Sequence, residues 1–138
     1  MQLTAYLNFP GTCEAAFRFY ESTLRGKIVM MTNHGDSPAA AHTPPEWHTA
    51  ILHARLEVGG AVLMGSDAPG DYFKQPQGFG VSLSVESPDE AERIFSALAD
   101  GGATTMPMSE TFWATRFGMC TDRFGTPWLV NCDRPSAT

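Results

Sequence analysis

The chain repeats itself. Displaced by 76 residues, Leu7, Glu14, Ala15, Phe19, Gly26 and Met30 fall on Leu83, Glu90, Ala91, Phe95, Gly102 and Met106. The identities come with a shared order of strand, helix, glycine and strand, and an internal repeat constrains a whole architecture. Two similar halves that face each other would build one cleft between their sheets. With 138 residues, 43% hydrophobic and 17% charged, the composition is globular rather than disordered. The length suits one compact domain, or two small halves sharing a core.

The pattern predicts a first strand over Leu3 to Phe9, a break at Pro10-Gly11, and a helix from an N-cap at Thr12 to Arg25. Ala16, Phe17, Tyr20 and Leu24 recur at helical spacing, and Gly26 stands where a left-handed C-cap belongs. A strand follows over Lys27 to Thr32, then a loose segment, Asn33 to His48, of a length typical of lids or mobile excursions. Thr49 to Val58 and Ala61 to Gly65 read as a hairpin around Gly59-Gly60. These elements make repeat 1, about 1–66, and residues 67–78 read as a connector. Repeat 2, about 79–134, opens with an alternating strand over Phe79 to Val85. Its helix begins with Ser87 as cap, Pro88 at the first helical position and Glu90 completing a capping box. Ala91, Ile94, Phe95 and Leu98 form its buried stripe, and Gly101-Gly102 end it. Strands over Ala103 to Met108, Thr115 to Thr121 and Thr126 to Cys132 follow, with Arg123-Phe124-Gly125 as the last turn.

Several partners are excluded by composition. A net charge of −6 without a cluster of Lys or Arg argues against a nucleic-acid partner, which needs concentrated positive charge. The stretch MQLTAYLNFPG has no basic region before an apolar run, which argues against a signal peptide. No apolar run reaches the ~20 residues that cross a bilayer. Cys13, Cys120 and Cys132 are odd in number and lack metal or redox spacing, so they read as reduced thiols of a cytoplasmic protein.

Three stretches, YLNFPGTCEAAFRFYESTL, VGGAVLMGSDAPG and ETFWATRFGMCTDRFGTPWLVNC, resemble the vicinal oxygen chelate superfamily, which holds glyoxalase I, extradiol dioxygenases and bleomycin or fosfomycin resistance proteins. Within it the chain is most similar to the PhnB-like branch, whose members often carry a demethylubiquinone-methyltransferase label. The resemblance spans nearly the whole chain and implies an α+β fold of two βαβββ modules, with mixed curved sheets around a cleft. It also implies a homodimer, whose modules are either exchanged or stacked between subunits. Methyl transfer is not expected, because no G-x-G-x-x-G loop joins a strand to a helix.

In metal-using members, His, Glu or Gln from the first and last strands of each half converge on a divalent ion. Here the first strand offers Thr4, Tyr6 and Asn8, and the fifth offers Ser82 and Ser84. Val62, Leu63 and Met64 occupy the hairpin return, and Trp128, Leu129 and Val130 the final strand. Without imidazole or carboxylate there, no superfamily-type metal site and no cofactor are expected. His34, His42 and His48 read as solvated loop residues, although with Glu46 the loop could hold an ion. His53 lies mid-strand at a position this branch also tends to fill with His, and is a pocket candidate.

Phe112, Trp113 and Arg116, in the run Glu110 to Arg116, would suit a flat or anionic small molecule, the rings stacking while the guanidinium holds a carboxylate. Equally, the two aromatics would plug a subunit interface, with Glu110 and Arg116 as a rim pair. Asp67, Trp128 and Asn131 are further ligand-binding candidates. Trp128 also fits simple core packing, and Asp67 a turn cap. Glu110, or else Asp67, is a candidate general base if an apolar cleft raises its pKa. The leading expectation is a metal-free protein that binds a small molecule in the cleft. The alternatives are a metal-dependent or acid–base enzyme, and a structural dimer with a filled cleft.

Overall fold

Ala5–Phe9 forms strand β1, with Leu7 and Phe9 buried and their neighbours exposed, the alternation of a strand covered on one face. The computed structural model describes residues 1–135. Helix α1, Cys13–Leu24, follows, then β2, Lys27–Asn33, and the hairpin of β3, Ile51–Val58, with β4, Ala61–Asp67. The sheet order is β1-β4-β3-β2, with β1 parallel to β4 and the other pairs antiparallel. The buried stripe of α1 (Cys13, Ala16, Phe17, Tyr20 and Leu24) covers one sheet face, where Phe9 and Phe17 meet edge to face at 6.2 Å.

The second half repeats this plan. Strand β5, Val81–Val85, leads to helix α2, Pro88–Ala99, then β6, Ala103–Ser109, β7, Ala114–Thr121, and β8, Pro127–Asp133. Its sheet order, β5-β8-β7-β6, matches the first sheet strand for strand. Ser87 caps α2 through Glu90 N–H at 3.3 Å, while the Glu90 carboxylate holds Arg93 at 2.7 Å. Trp128, Leu98, Val130 and Ile94 form a core of its own. The chain accordingly divides into two compact units, Met1–Lys74 and the residues from Gln75 onward. Among the described residues no helix is long and apolar enough to cross a membrane.

Three expectations are corrected. Gly26 is not the left-handed cap of α1; Arg25 takes that conformation, at φ 55° and ψ 44°. Gly26 is needed for another reason, since a Cβ there would stand 2.6 Å from Glu57 O on β3. Thr12 occupies the N-cap of α1 without a side-chain cap bond, while Asp67 of β4 accepts from the amides on either side of it, those of Gly11 and Cys13. The loose segment is ordered into three short 3-10 turns, His34–Asp36, Pro38–His42 and Pro45–Trp47. Asn33 and Ser37 cap the first two through Asp36 N–H at 2.9 Å and Ala39 N–H at 3.1 Å.

The repeat is also less uniform than the identities suggest. Strands β5 and β6 begin 76 residues after β1 and β2, but α2 begins 75 residues after α1. The helices correspond through Ala16 and Ala91, Tyr20 and Phe95, and Thr23 and Leu98, all buried. Ala15, the partner of Ala91 by identity, is exposed.

Candidate functional site

Each helix covers one face of its sheet and leaves the other open. Residues opposite one another in a ladder project to the same side, so the register gives each open face. On the first sheet Tyr6, Met64, Arg55 and Met30 form one row across β1, β4, β3 and β2. Asn8 pairs with Ser66, and His53 with Thr32, in the next rows. Tyr6 and His53 stack with ring centroids 5.7 Å apart, and the Tyr6 hydroxyl lies 3.1 Å from His53 Nδ1. Ser66 Oγ lies 3.3 Å from Asn8 Oδ1. Two aromatic rings, a hydroxyl, a carboxamide and a guanidinium thus share a face floored by two methionines.

On the second sheet the open face carries Ser84, Asn131, Phe117 and Ser109 in one row, and Ser82, Leu129, Met119 and Met106 in the next. Trp113 stacks edge-on to Phe117 at 5.3 Å, and Phe112 to Trp113 at 4.8 Å. Asn131 donates to Asp133 at 2.7 Å, and its Oδ1 is buried without a partner among the described residues. A cavity of about 530 Å³ opens between Met119, Leu129 and the segment around Phe79.

Of the residues singled out in the sequence, His53, Phe112, Trp113 and Asn131 belong to these open faces. Arg116 does not join them. It turns to the helix side, where its Nε and Nη2 grip Glu92 Oε1 of α2 at 2.7 and 2.5 Å. Glu110 pairs with Arg134 at 2.6 Å rather than with Arg116, and it is exposed. The apolar burial that would make it a general base is therefore missing. Trp128 is 1% exposed and donates its indole N–H to Asp122 at 2.8 Å, as a core residue does. Asp67 is buried and accepts three backbone N–H groups, from Gly11 at 3.0 Å, Cys13 at 2.9 Å and Ile51 at 2.8 Å.

Sequence reasoning missed the partnership of Tyr6 with His53, because it crosses β4 between two strands 47 residues apart. It also missed Asp122, which ties the last turn together by accepting from Phe124 N–H at 2.8 Å and Thr126 N–H at 3.0 Å. The Asp-x-x-Gly-Thr spacing around Arg123-Phe124-Gly125 was the available signal. Burial, reinforced by the Asp122 charge, pushes the Cys120 thiol up to about 11. Burial raises the Cys13 thiol as well, with Asp67 and Glu14 adding to it. Neither thiol is poised as a nucleophile.

A family model described as 3-demethylubiquinone-9 3-methyltransferase matches residues 1–131. The chain belongs to this PhnB-like family. It is 34% identical over 146 residues to protein YjdN of Escherichia coli, covering all of this chain and 99% of that one. The crystal structure of PA1353 from Pseudomonas aeruginosa is 47% identical, covers 96% of this chain and 98% of its own, and superposes with a TM-score of 0.89. A glyoxylase/bleomycin resistance protein/dioxygenase domain from Frankia, 18% identical, matches 96% of this chain and 95% of its own with a TM-score of 0.61. The paired βαβββ units therefore have the glyoxalase/bleomycin resistance fold.

The donor set at the strands where metal-using relatives place their ligands does not fit a hard divalent ion. On the open faces β1 and β4 present Tyr6, Asn8, Met64 and Ser66, while β5 and β8 present Ser82, Ser84, Leu129 and Asn131. None is an imidazole or a carboxylate. Among the described residues no three His, Cys, Asp or Glu side chains stand together as ligands.

Proposed function

We propose that this PhnB-like protein binds a small aromatic or anionic molecule on the open face of its first sheet, without a metal. The carrying observation is the stacked, hydrogen-bonded Tyr6–His53 pair beside Asn8 and Ser66. A flat ring would lie against the imidazole and phenol, and Arg55, two positions along β3, would hold a carboxylate. Met30 and Met64 supply an adaptable apolar floor. Methyl transfer is not part of this reading. The strand-to-helix turns are Pro10-Gly11-Thr12 and Glu86-Ser87, and neither is a glycine-rich nucleotide loop. The three cysteines are unpaired and buried, which suits a reducing, cytoplasmic setting.

Calorimetric titration with benzoate and with neutral benzamide, both in excess EDTA, tests the reading. Saturable benzoate binding is expected, weakened tenfold or more by His53→Ala. Arg55→Gln should affect benzoate more than benzamide. Binding that requires added zinc or manganese, or that survives His53→Ala, would overturn it.

The same reading includes a homodimer, supported by the exposure of Phe112 (89%), Trp113 (44%) and Phe79 (57%) within one unit. Light scattering should give twice the 15.0 kDa chain mass, and Phe112→Ser combined with Trp113→Ser should halve it. A monomeric mass for the native chain would remove the dimer.

A further inference from the structure

The ladder register fixes a square of four residues on the open face of the first sheet. Tyr6 on β1 and Arg55 on β3 both stand level with Met64, on either side of β4. β1 runs parallel to β4 and β3 runs antiparallel to it. Asn8, two residues after Tyr6, and His53, two residues before Arg55, therefore both lie level with Ser66. The aromatic pair takes one diagonal of this square, the Tyr6 hydroxyl lying 3.1 Å from His53 Nδ1 across β4. Asn8 and Arg55 take the other diagonal. With strands about 4.8 Å apart and a rise of about 3.3 Å per residue, their Cα atoms are about 12 Å apart.

Both corners of that second diagonal keep donors for a ligand. Ser66 Oγ donates to Asn8 Oδ1 at 3.3 Å, which engages the acceptor end of the carboxamide and leaves its NH₂ end over. Asn8 is exposed, and its NH₂ group has no partner among the described residues. The carboxylate beside Arg55, that of Glu57, stands 3.9 Å away, beyond hydrogen-bond length. The Arg55 side chain is 30% exposed, so its guanidinium fork is open to solvent. An acceptor arriving at Asn8 and an anion arriving at Arg55 would meet unused donors instead of displacing bonds already made.

We propose, resting on the sheet-face binding above, that the ligand is an aromatic carboxylate with a hydrogen-bond acceptor at the opposite end of its ring. The ring covers the Tyr6–His53 diagonal, the carboxylate takes Arg55, and the acceptor takes Asn8. Opposite corners demand groups that leave the ring in opposite directions, which selects para over meta substitution. Ser66 is a positioning residue in this arrangement, acting through the Asn8 carboxamide.

Calorimetric titration of the intact protein with 4-acetylbenzoate and with 4-isopropylbenzoate tests this, because the two match in shape and differ in the acceptor oxygen. The acetyl compound should bind about fivefold more tightly, as one added hydrogen bond allows, and 3-acetylbenzoate should lose that advantage. Asn8→Asp keeps the shape and removes both donors, so it should reverse the preference. Ser66→Ala should reduce the preference, and Ser66→Thr, which keeps the hydroxyl, should preserve it. Equal binding of the two para compounds, 3-acetylbenzoate binding as tightly as its 4-isomer, or a preference that survives Asn8→Asp would each overturn the proposal while benzoate itself still binds. Absence of benzoate binding would instead remove the sheet-face reading, and this ligand class with it. The comparison of ligands needs no variant, so a folding defect in Asn8→Asp does not weaken it.

Discussion

Asp67 and Asp122 are buried, at 5% and 3% exposure, and each turns its carboxylate to the protein's own donors. Asp67 joins the turn before α1 to the start of β3, two segments that no strand ladder connects directly. Hydrogen bonds to a charged acceptor contribute about 1.5–3 kcal/mol each, but shared acceptors are not additive. Asp67→Asn keeps the shape, removes the charge and turns an amide donor towards one of those N–H groups. It should lower the unfolding free energy by about 2–4 kcal/mol in urea titrations; a loss below 1 kcal/mol would contradict the clasp. The thiols give a second consequence at this scale. Cys120 is pushed from 9.0 up to about 11 by burial first and the Asp122 charge second, and Cys13 moves the same way. The unfolded chain therefore releases these protons before the folded one does. The contribution of Cys120 is complete below pH 9 and is lost as pH rises through 11, and that of Cys13 begins to fall over the same range and goes on falling above it. For Cys120 that is on the order of 2 kcal/mol. Urea midpoints at pH 8 and pH 10.5 should show the decline, and Cys120→Ala should make it shallower, with the remainder carried by Cys13.

At the scale of the element, Gly26 and Gly102 mark the same structural need in the two halves. Each follows a helix and runs against the backbone of the next hairpin, where an added Cβ would meet Glu57 O at 2.6 Å or Asp122 C at 2.8 Å. Backbone cannot yield as a flexible side chain can, so Gly102→Ala should cost about 3 kcal/mol or more. A melting-temperature shift under 3 °C would argue that the segment relaxes freely. These two glycines were legible in the sequence, but the reason for Gly26 was not, since its crowding comes from β3, about 30 residues away. Helical periodicity and the Ser87-Pro88 start located both helices to within two residues, because capping and burial are local. Strand register is not local. In β7 alternation sets Arg116 with Gly118 and Cys120, away from Phe117, but which of the two faces α2 covers, and hence the meeting of Arg116 with Glu92, is decided by long-range packing. The loop after β2 was read as loose for a related reason, because its order rests on scattered caps rather than on a periodic pattern.

At the scale of the whole molecule, the repeat is one topology built twice around two separate cores. The helix slides by one residue because the turn before α2 is shorter and the turn after it longer. Matching folds therefore coexist with different open faces: a Tyr6–His53 pair on one sheet, and a Phe112–Trp113–Phe117 stack on the other. Residues 68–80 join the units and contain one short 3-10 turn, Gly70–Tyr72, with Tyr72 81% exposed. A segment with so few internal hydrogen bonds opens more readily than any strand or helix it connects. Lys74 is exposed and lies at the division between units, whereas Arg25, Arg55, Arg93, Arg116 and Arg123 sit in or beside helices, strands and tight turns. Limited trypsin digestion of the native protein should therefore cut first after Lys74 and leave two fragments that persist through the early time course. Mass spectrometry of the first products decides the matter. A first cut at Arg25 or Arg123 would mean that a unit loosens before the connector does, and that the two halves do not hold their structure independently.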